Sequence, residues 1–144
     1  MGTCKYCGKP AGPLRSKHCE CENKYKLTFE HLTRVSFETI IKSSSLKDFE
    51  ELERDINNIA PDGYLTTSDV GYVLVSAFER AVEHFLNDGA LSVEEQGKIE
   101  SFVEFFKLDQ NELDRNGAWS RLVKGGGLRE VMEGKIPQRV KIEG

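Results

Sequence analysis

No apolar run in this 144-residue chain approaches the roughly 20 residues needed to cross a bilayer as a helix. The N-terminal residues carry no hydrophobic segment of the secretory type either. The expected location is therefore cytoplasmic, with no membrane partner. Beyond residue 21 there is no cysteine, so no disulfide framework spans the chain. Cytosolic thiols stay reduced, and four cysteines crowded at one end point to metal binding instead. The only glycine run, Gly125-Gly126-Gly127, has no strand before it and no Gly-Lys-Ser/Thr after it, which excludes a phosphate loop and leaves a hinge or close helix packing. No nucleophile–base pattern stands out. His31 and His84 are lone histidines on expected helices, and no enzymatic activity is expected.

What is present is unevenly charged. The formal net charge of -4 divides into three blocks. Residues 1–26 hold six Lys/Arg against two Glu, residues 27–117 eight against nineteen acidic, and residues 118–144 six against three. A basic head and tail on an acidic body suggest an oriented contact with an acidic partner.

The head, residues 1–26, begins Cys4-Lys5-Tyr6-Cys7-Gly8-Lys9. Two cysteines three apart and followed by Gly form a zinc-knuckle turn, in which the Gly lets backbone amides face the thiolates. A second ligand pair must close the tetrahedron, and His18, Cys19 and Cys21 are the candidates. The stretch from His18 to Lys26 has no breaker and should open a helix. Positions three apart share a helical face and positions two apart do not, so His18 and Cys21 pair more easily than Cys19 and Cys21. The expected ligands of a structural Zn²⁺ are Cys4, Cys7, His18 and Cys21, with Cys19 as the alternative to His18. So short a segment has few apolar side chains to fold around without a metal. Lys5, Lys9, Arg15 and Lys17, with Tyr6 and Tyr25 nearby, are candidate contacts to nucleic-acid phosphates.

The body, residues 27–136, reads as helix after helix. Its centre is the stretch 67–88, where Val70, Val73, Leu74, Ala77, Phe78, Ala81, Val82 and Phe85 recur at helical spacing. Tyr72, Val75 and Leu86 lie off that stripe, so the helix is expected to have neighbours on several faces. Ser68 or Thr67 is expected to cap its start and Gly89 its end. Earlier, Leu32, Val35, Phe37, Ile40 and Ile41 suggest one helix, continuous with the finger and interrupted at Ser43-Ser44-Ser45. Leu46, Phe49, Leu52, Ile56 and Ile59 suggest a second, ended by the turn Pro61-Asp62-Gly63. Later, Ser92 and Glu95 form a capping box for a helix that turns Ile99, Phe102, Val103 and Phe106 inward. Asp109 or Asn111 opens the next, with Trp119, Leu122 and Val123 as core candidates; Leu128, Val131 and Met132 mark a last short helix. The tail, residues 137–144, alternates apolar and charged residues like a lone strand.

Two calcium-loop alignments fail. Placing Gly89 at loop position six puts His84 and Leu86 in ligand positions, and placing Gly117 there puts Val123 where a bidentate Glu is required. Asp88, Glu94 and Glu95 remain a weak cation-site candidate.

Residues 67–135 resemble the TerB-like helical domain of tellurite-resistance and related stress proteins. The resemblance lies in Asp88-Gly89-Ala90-Leu91-Ser92-Val93-Glu94-Glu95, in the apolar helix before it, and in Phe105-Phe106-Lys107-Leu108-Asp109 after it. The head, from Cys4-x2-Cys7-Gly8 to His18 and Cys21, resembles the treble-clef-like finger that precedes such domains in uncharacterised bacterial and phage proteins. The resemblance implies an all-α bundle with a small zinc finger, acting through protein contacts in a stress or phage–host process. TerB-like domains have acidic residues suggested for cation binding, to which only Asp88, Glu94 and Glu95 could correspond. In longer relatives the tail leads into a further domain. The leading expectation is a non-enzymatic protein-interaction module, and the alternative is a nucleic-acid-binding regulatory protein.

Overall fold

A computed structural model describes residues 2–12, 19–87 and 91–124; of Cys19 only the backbone is described. Expectations for Gly89 as a cap, the glycine run, the last short helix and the tail lie outside those residues.

The described chain is helical apart from one small hairpin, in which β1 (Gly2–Thr3) pairs antiparallel with β2 (Pro10–Gly12). Strands of two and three residues are too short to show alternation, so sequence periodicity gives no sign of them. α1 (Cys19–Lys42) follows and crosses residues 26 and 27 without a break. The helix that opens at the last cysteines is thus also the first helix of the body, the continuity expected from the sequence.

α2 (Leu46–Ile59) starts where the serines interrupt α1. The Asp48 carboxylate accepts hydrogen bonds from the amides of Ser44 at 2.8 Å and Ser45 at 3.3 Å, satisfying donors the helix leaves unpaired. Those amide hydrogen bonds hold the Asp48 carboxyl below its ordinary pKa. A single 3-10 turn at Pro61–Gly63 then carries the chain across α1. Gly63 is buried there, and a Cβ at this position would overlap the side chain of Thr28. Only glycine lets the turn lie this close to the helix.

α3 (Thr67–Leu86) is the centre of the bundle, in contact with α1, α4, α5 and α6. Val73, Leu74, Ala77, Phe78, Ala81, Val82 and Phe85 are buried as the stripe requires, while Val70 is half-buried. Its cap is neither Thr67 nor Ser68 but Thr66. The Thr66 hydroxyl accepts from the Asp69 amide at 3.2 Å, and the Asp69 carboxylate accepts from the Thr66 amide at 2.8 Å. The reciprocal pair requires an acidic residue three positions on, and Thr66 has one in Asp69.

α4 (Val93–Phe106) begins at the expected box: Ser92 Oγ accepts from the Glu95 amide at 3.1 Å and Glu95 from the Ser92 amide at 2.9 Å. Leu91, just before the cap, is buried. Phe49 of α2 meets Phe102 and Phe105 of α4 with ring centres 5.7 and 5.9 Å apart, which ties those helices together. Lys98 of α4 donates to the Ile41 carbonyl at 2.7 Å, placing a cation at the C-terminal end of α1.

The segment after Asp109 is two short helices rather than one. α5 (Gln110–Leu113), capped by Asp109, and α6 (Ala118–Lys124) are divided by a turn at Gly117, whose φ is +82°. Leu113, Ala118 and Leu122 are buried, and Trp119 stacks on Phe78 at 6.3 Å. Asn116, in the turn between α5 and α6, donates to Glu79 of α3 at 3.0 Å, and Asp114 at the end of α5 accepts from the Ser120 amide of α6 at 2.9 Å. No helix among the described residues is long and apolar enough to cross a membrane.

Candidate metal centre

The hairpin and the first turn of α1 bring three thiols together. The Sγ atoms of Cys4, Cys7 and Cys21 all lie within 4.8 Å of one another. The turn between the strands arranges the first two. The Gly8 amide donates to the Cys4 carbonyl at 2.9 Å, and the Cys4 amide donates to the Lys9 carbonyl at 2.7 Å. Gly8 itself sits at φ +79°, a conformation that would strain any side-chain-bearing residue. Cys21, in the first turn of α1, supplies the third sulfur.

Cys4 and Cys21 are buried and Cys7 is half-buried. No disulfide joins them. Zinc bonded to thiolates at about 2.3 Å in a tetrahedron sets sulfur–sulfur distances of about 3.8 Å, so the observed cluster fits one face of such a site. Burial, then hydrogen bonding with the neighbouring Cys7 thiol, pushes the Cys21 thiol above its ordinary pKa. A bound cation reverses that cost, because coordination deprotonates a thiol outright. The three described donors are soft thiols, which suit zinc better than magnesium or calcium.

His18 and the side chain of Cys19, the two candidates for the fourth position, lie outside the described residues, as do Arg15 and Lys17. Lys5 and Lys9 are exposed on the knuckle. The Lys5 ammonium lies 5.2 Å from the centre of the Tyr6 ring and that of Lys24 lies 5.8 Å from Tyr64.

The tyrosines of the head do a job that was not read from the sequence. Tyr6 packs against Tyr25 at 5.3 Å and against Tyr64 at 5.8 Å, and Tyr25 continues to Phe29 at 6.3 Å. The Tyr25 hydroxyl donates to Asp69 at 2.7 Å, reaching the capping box of α3. Burial and that hydrogen bond push the Tyr25 phenol up to about 12. Burial opposes charge on Asp69 too, yet the Thr66 amide and the Tyr25 hydroxyl together hold its carboxyl below the usual range. The Cys21 sulfur and the Tyr64 hydroxyl make a long contact at 4.0 Å, and the sulfur pushes the Tyr64 phenol upward. Tyr64 has φ +64°, just past the glycine of the turn. The signal available in sequence was an aromatic residue directly after Pro61-Asp62-Gly63, where the chain must reverse.

No family model, curated protein or solved structure matches this chain. The site is therefore read from its own chemistry.

The acidic candidate is less developed. Asp88 lies outside the described residues, Glu94 is exposed, and Glu95 is engaged by the Ser92 amide. Among the described residues, the three cysteines are the only group of three or more ligand-type side chains close enough to share an ion. His31 and His84 are exposed on α1 and α3. His31 lies beside Arg34, and His84 packs edge-on against Phe37 at 5.6 Å.

Proposed function

We propose that the head holds one structural Zn²⁺ through Cys4, Cys7, Cys21 and His18, with Cys19 the alternative fourth ligand, and that the chain is a non-enzymatic protein-interaction module. The observation that carries the metal reading is the convergence of three thiols from a knuckle and a helix within 4.8 Å. Four protein ligands leave no open position for a reacting water, so the ion organises the head without turning over substrate. The body is read as a TerB-like domain, supported by the apolar α3 and the Ser92–Glu95 box that opens α4. Docking of a protein partner is supported by large apolar side chains left at the surface, Leu27 at 72% and Val93 at 80% exposure. The opposite charges of head and body would orient that partner.

Elemental analysis of the purified chain and of His18→Ala tests the metal half. One zinc per chain, loosened in the variant, is the expected result. Full retention by the variant moves the fourth ligand to Cys19, and metal-free native protein overturns the reading. Captured partners test the other half. Binding that persists at high salt but fails in Val93→Ser or Leu27→Ser supports a protein interface. Binding to nucleic acid that collapses with salt and needs Lys5 and Lys9 would replace it.

A further inference from the structure

Beside the thiol cluster lies an open cleft of about 300 Å³, lined by Cys7, Lys9, Glu20, Cys21, Lys24 and Tyr64. Two of the three clustered cysteines therefore line a space large enough for a small molecule, while Cys4 is 1% exposed and is not part of its wall. Cys7 is the more exposed of the two lining cysteines. Oxidation to a disulfide needs one accessible sulfur and a second within reach. The cleft gives access at Cys7, and Cys21, whose Sγ lies within 4.8 Å, supplies the second sulfur.

We propose that Cys7 is a site of oxidation by hydrogen peroxide, with Cys21 as the resolving thiol. The Cys7 sulfur attacks one oxygen of the O–O bond; that bond breaks, the thiol proton passes to the other oxygen, which leaves as water, and Cys7 becomes a sulfenic acid. The Cys21 sulfur then attacks the Cys7 sulfur, a disulfide forms, and the Cys7 oxygen departs as water with the Cys21 proton. Two thiols are oxidised by two electrons and one peroxide is reduced to water. The bridge removes two of the sulfur ligands and staples the knuckle to α1, so a bound metal is released. Only this release step rests on the metal reading. The disulfide itself requires the cluster and the cleft alone.

The experiment uses the full chain as purified, its metal content measured beforehand. Hydrogen peroxide is added with and without dimedone, remaining thiols are alkylated, and peptides are mapped by mass spectrometry, while a chromogenic chelator reports free zinc. Expected are dimedone addition at Cys7, a Cys7–Cys21 disulfide in its absence, and zinc release that follows the disulfide. Cys7→Ser should slow peroxide oxidation of the remaining thiols by about tenfold or more, read by alkylation and not by zinc release because Cys7 is also a proposed ligand. Trapping of Cys4, Cys19 or Cys21 in place of Cys7 in the wild-type chain overturns the proposal, whatever the variant does. So does a disulfide that omits Cys7, or oxidation slower than that of free glutathione. Formation of the Cys7–Cys21 bridge in protein that carries no metal supports the oxidation site while removing the zinc reading.

Discussion

The head and the body solve the same problem with different means. In the body, Leu32, Ile40, Phe49, Phe78, Phe102, Leu113 and Leu122 are each 1% exposed or less, within one continuous apolar core. In the head, the buried cluster is Cys4, Ala11 and Cys21. Burying an alanine and two thiols removes little apolar area from water, and two short strands cannot stand by themselves. The body is held by the burial of large side chains. The head is seated on the body by its tyrosines, and the proposed metal at its three close thiols would supply the rest. The lesson is that an ordered tip on a helical protein need not share the body's source of stability.

The comparison breaks most sharply through the body's core. Phe102→Ala removes a fully buried ring that touches Phe49 and Phe106. It should cost about 3–5 kcal/mol in chemical denaturation while leaving metal content unchanged. Parallel loss of the metal would show that the head does not stand apart.

Gly63→Ala acts at the seam. The added methyl overlaps Thr28 on α1 and displaces the turn that positions Tyr64. A loss of about 1–3 kcal/mol is expected, with Thr28→Gly, which removes the Cβ together with Oγ1 and Cγ2, restoring part of it in a double-mutant cycle. Additive effects would mean that the two residues do not meet.

The smallest effect sharpens the seam from its other side. Tyr25→Phe removes the hydrogen bond to Asp69 and should cost about 1 kcal/mol near neutral pH. The folded phenol is pushed up to about 12, whereas an unfolded tyrosine titrates near about 10. The folded state therefore holds this proton more tightly. Its contribution is fully present below about pH 10 and is lost as pH rises through about 12. Wild type should lose stability across that window more steeply than Tyr25→Phe. Ultraviolet titration should show a late phenol that is missing from the variant.

The body was legible because periodicity is a long-range signal. Eight apolar positions at helical spacing define α3 whatever surrounds them, and serine runs and capping pairs punctuate the helices beside it. The cap of α3, expected at Ser68 or Thr67, lies at Thr66; it was missed because Asp69 was not read as its partner. The division between α5 and α6 was missed because Gly117 looks like any helical interruption until its positive φ is seen. In the head, the cysteine spacing announced the cluster, and Cys4, Cys7 and Cys21 do converge. The seating of the head was not legible. Tyr6 and Tyr25 sit among lysines and suggested phosphate contacts, whereas their neighbours Tyr64 and Asp69 lie about 40 residues or more away in sequence. Local pattern carries no information about such pairs.

Amide hydrogen exchange with and without a strong chelator tests the central claim most directly. The account predicts that chelation strips protection from the knuckle amides of Cys4 and Gly8 and from the first turn of α1, while Val73–Phe85 of α3 and Ile99–Phe102 of α4 keep theirs. A knuckle that stays protected without metal, or an α3 that loses protection together with it, would contradict it.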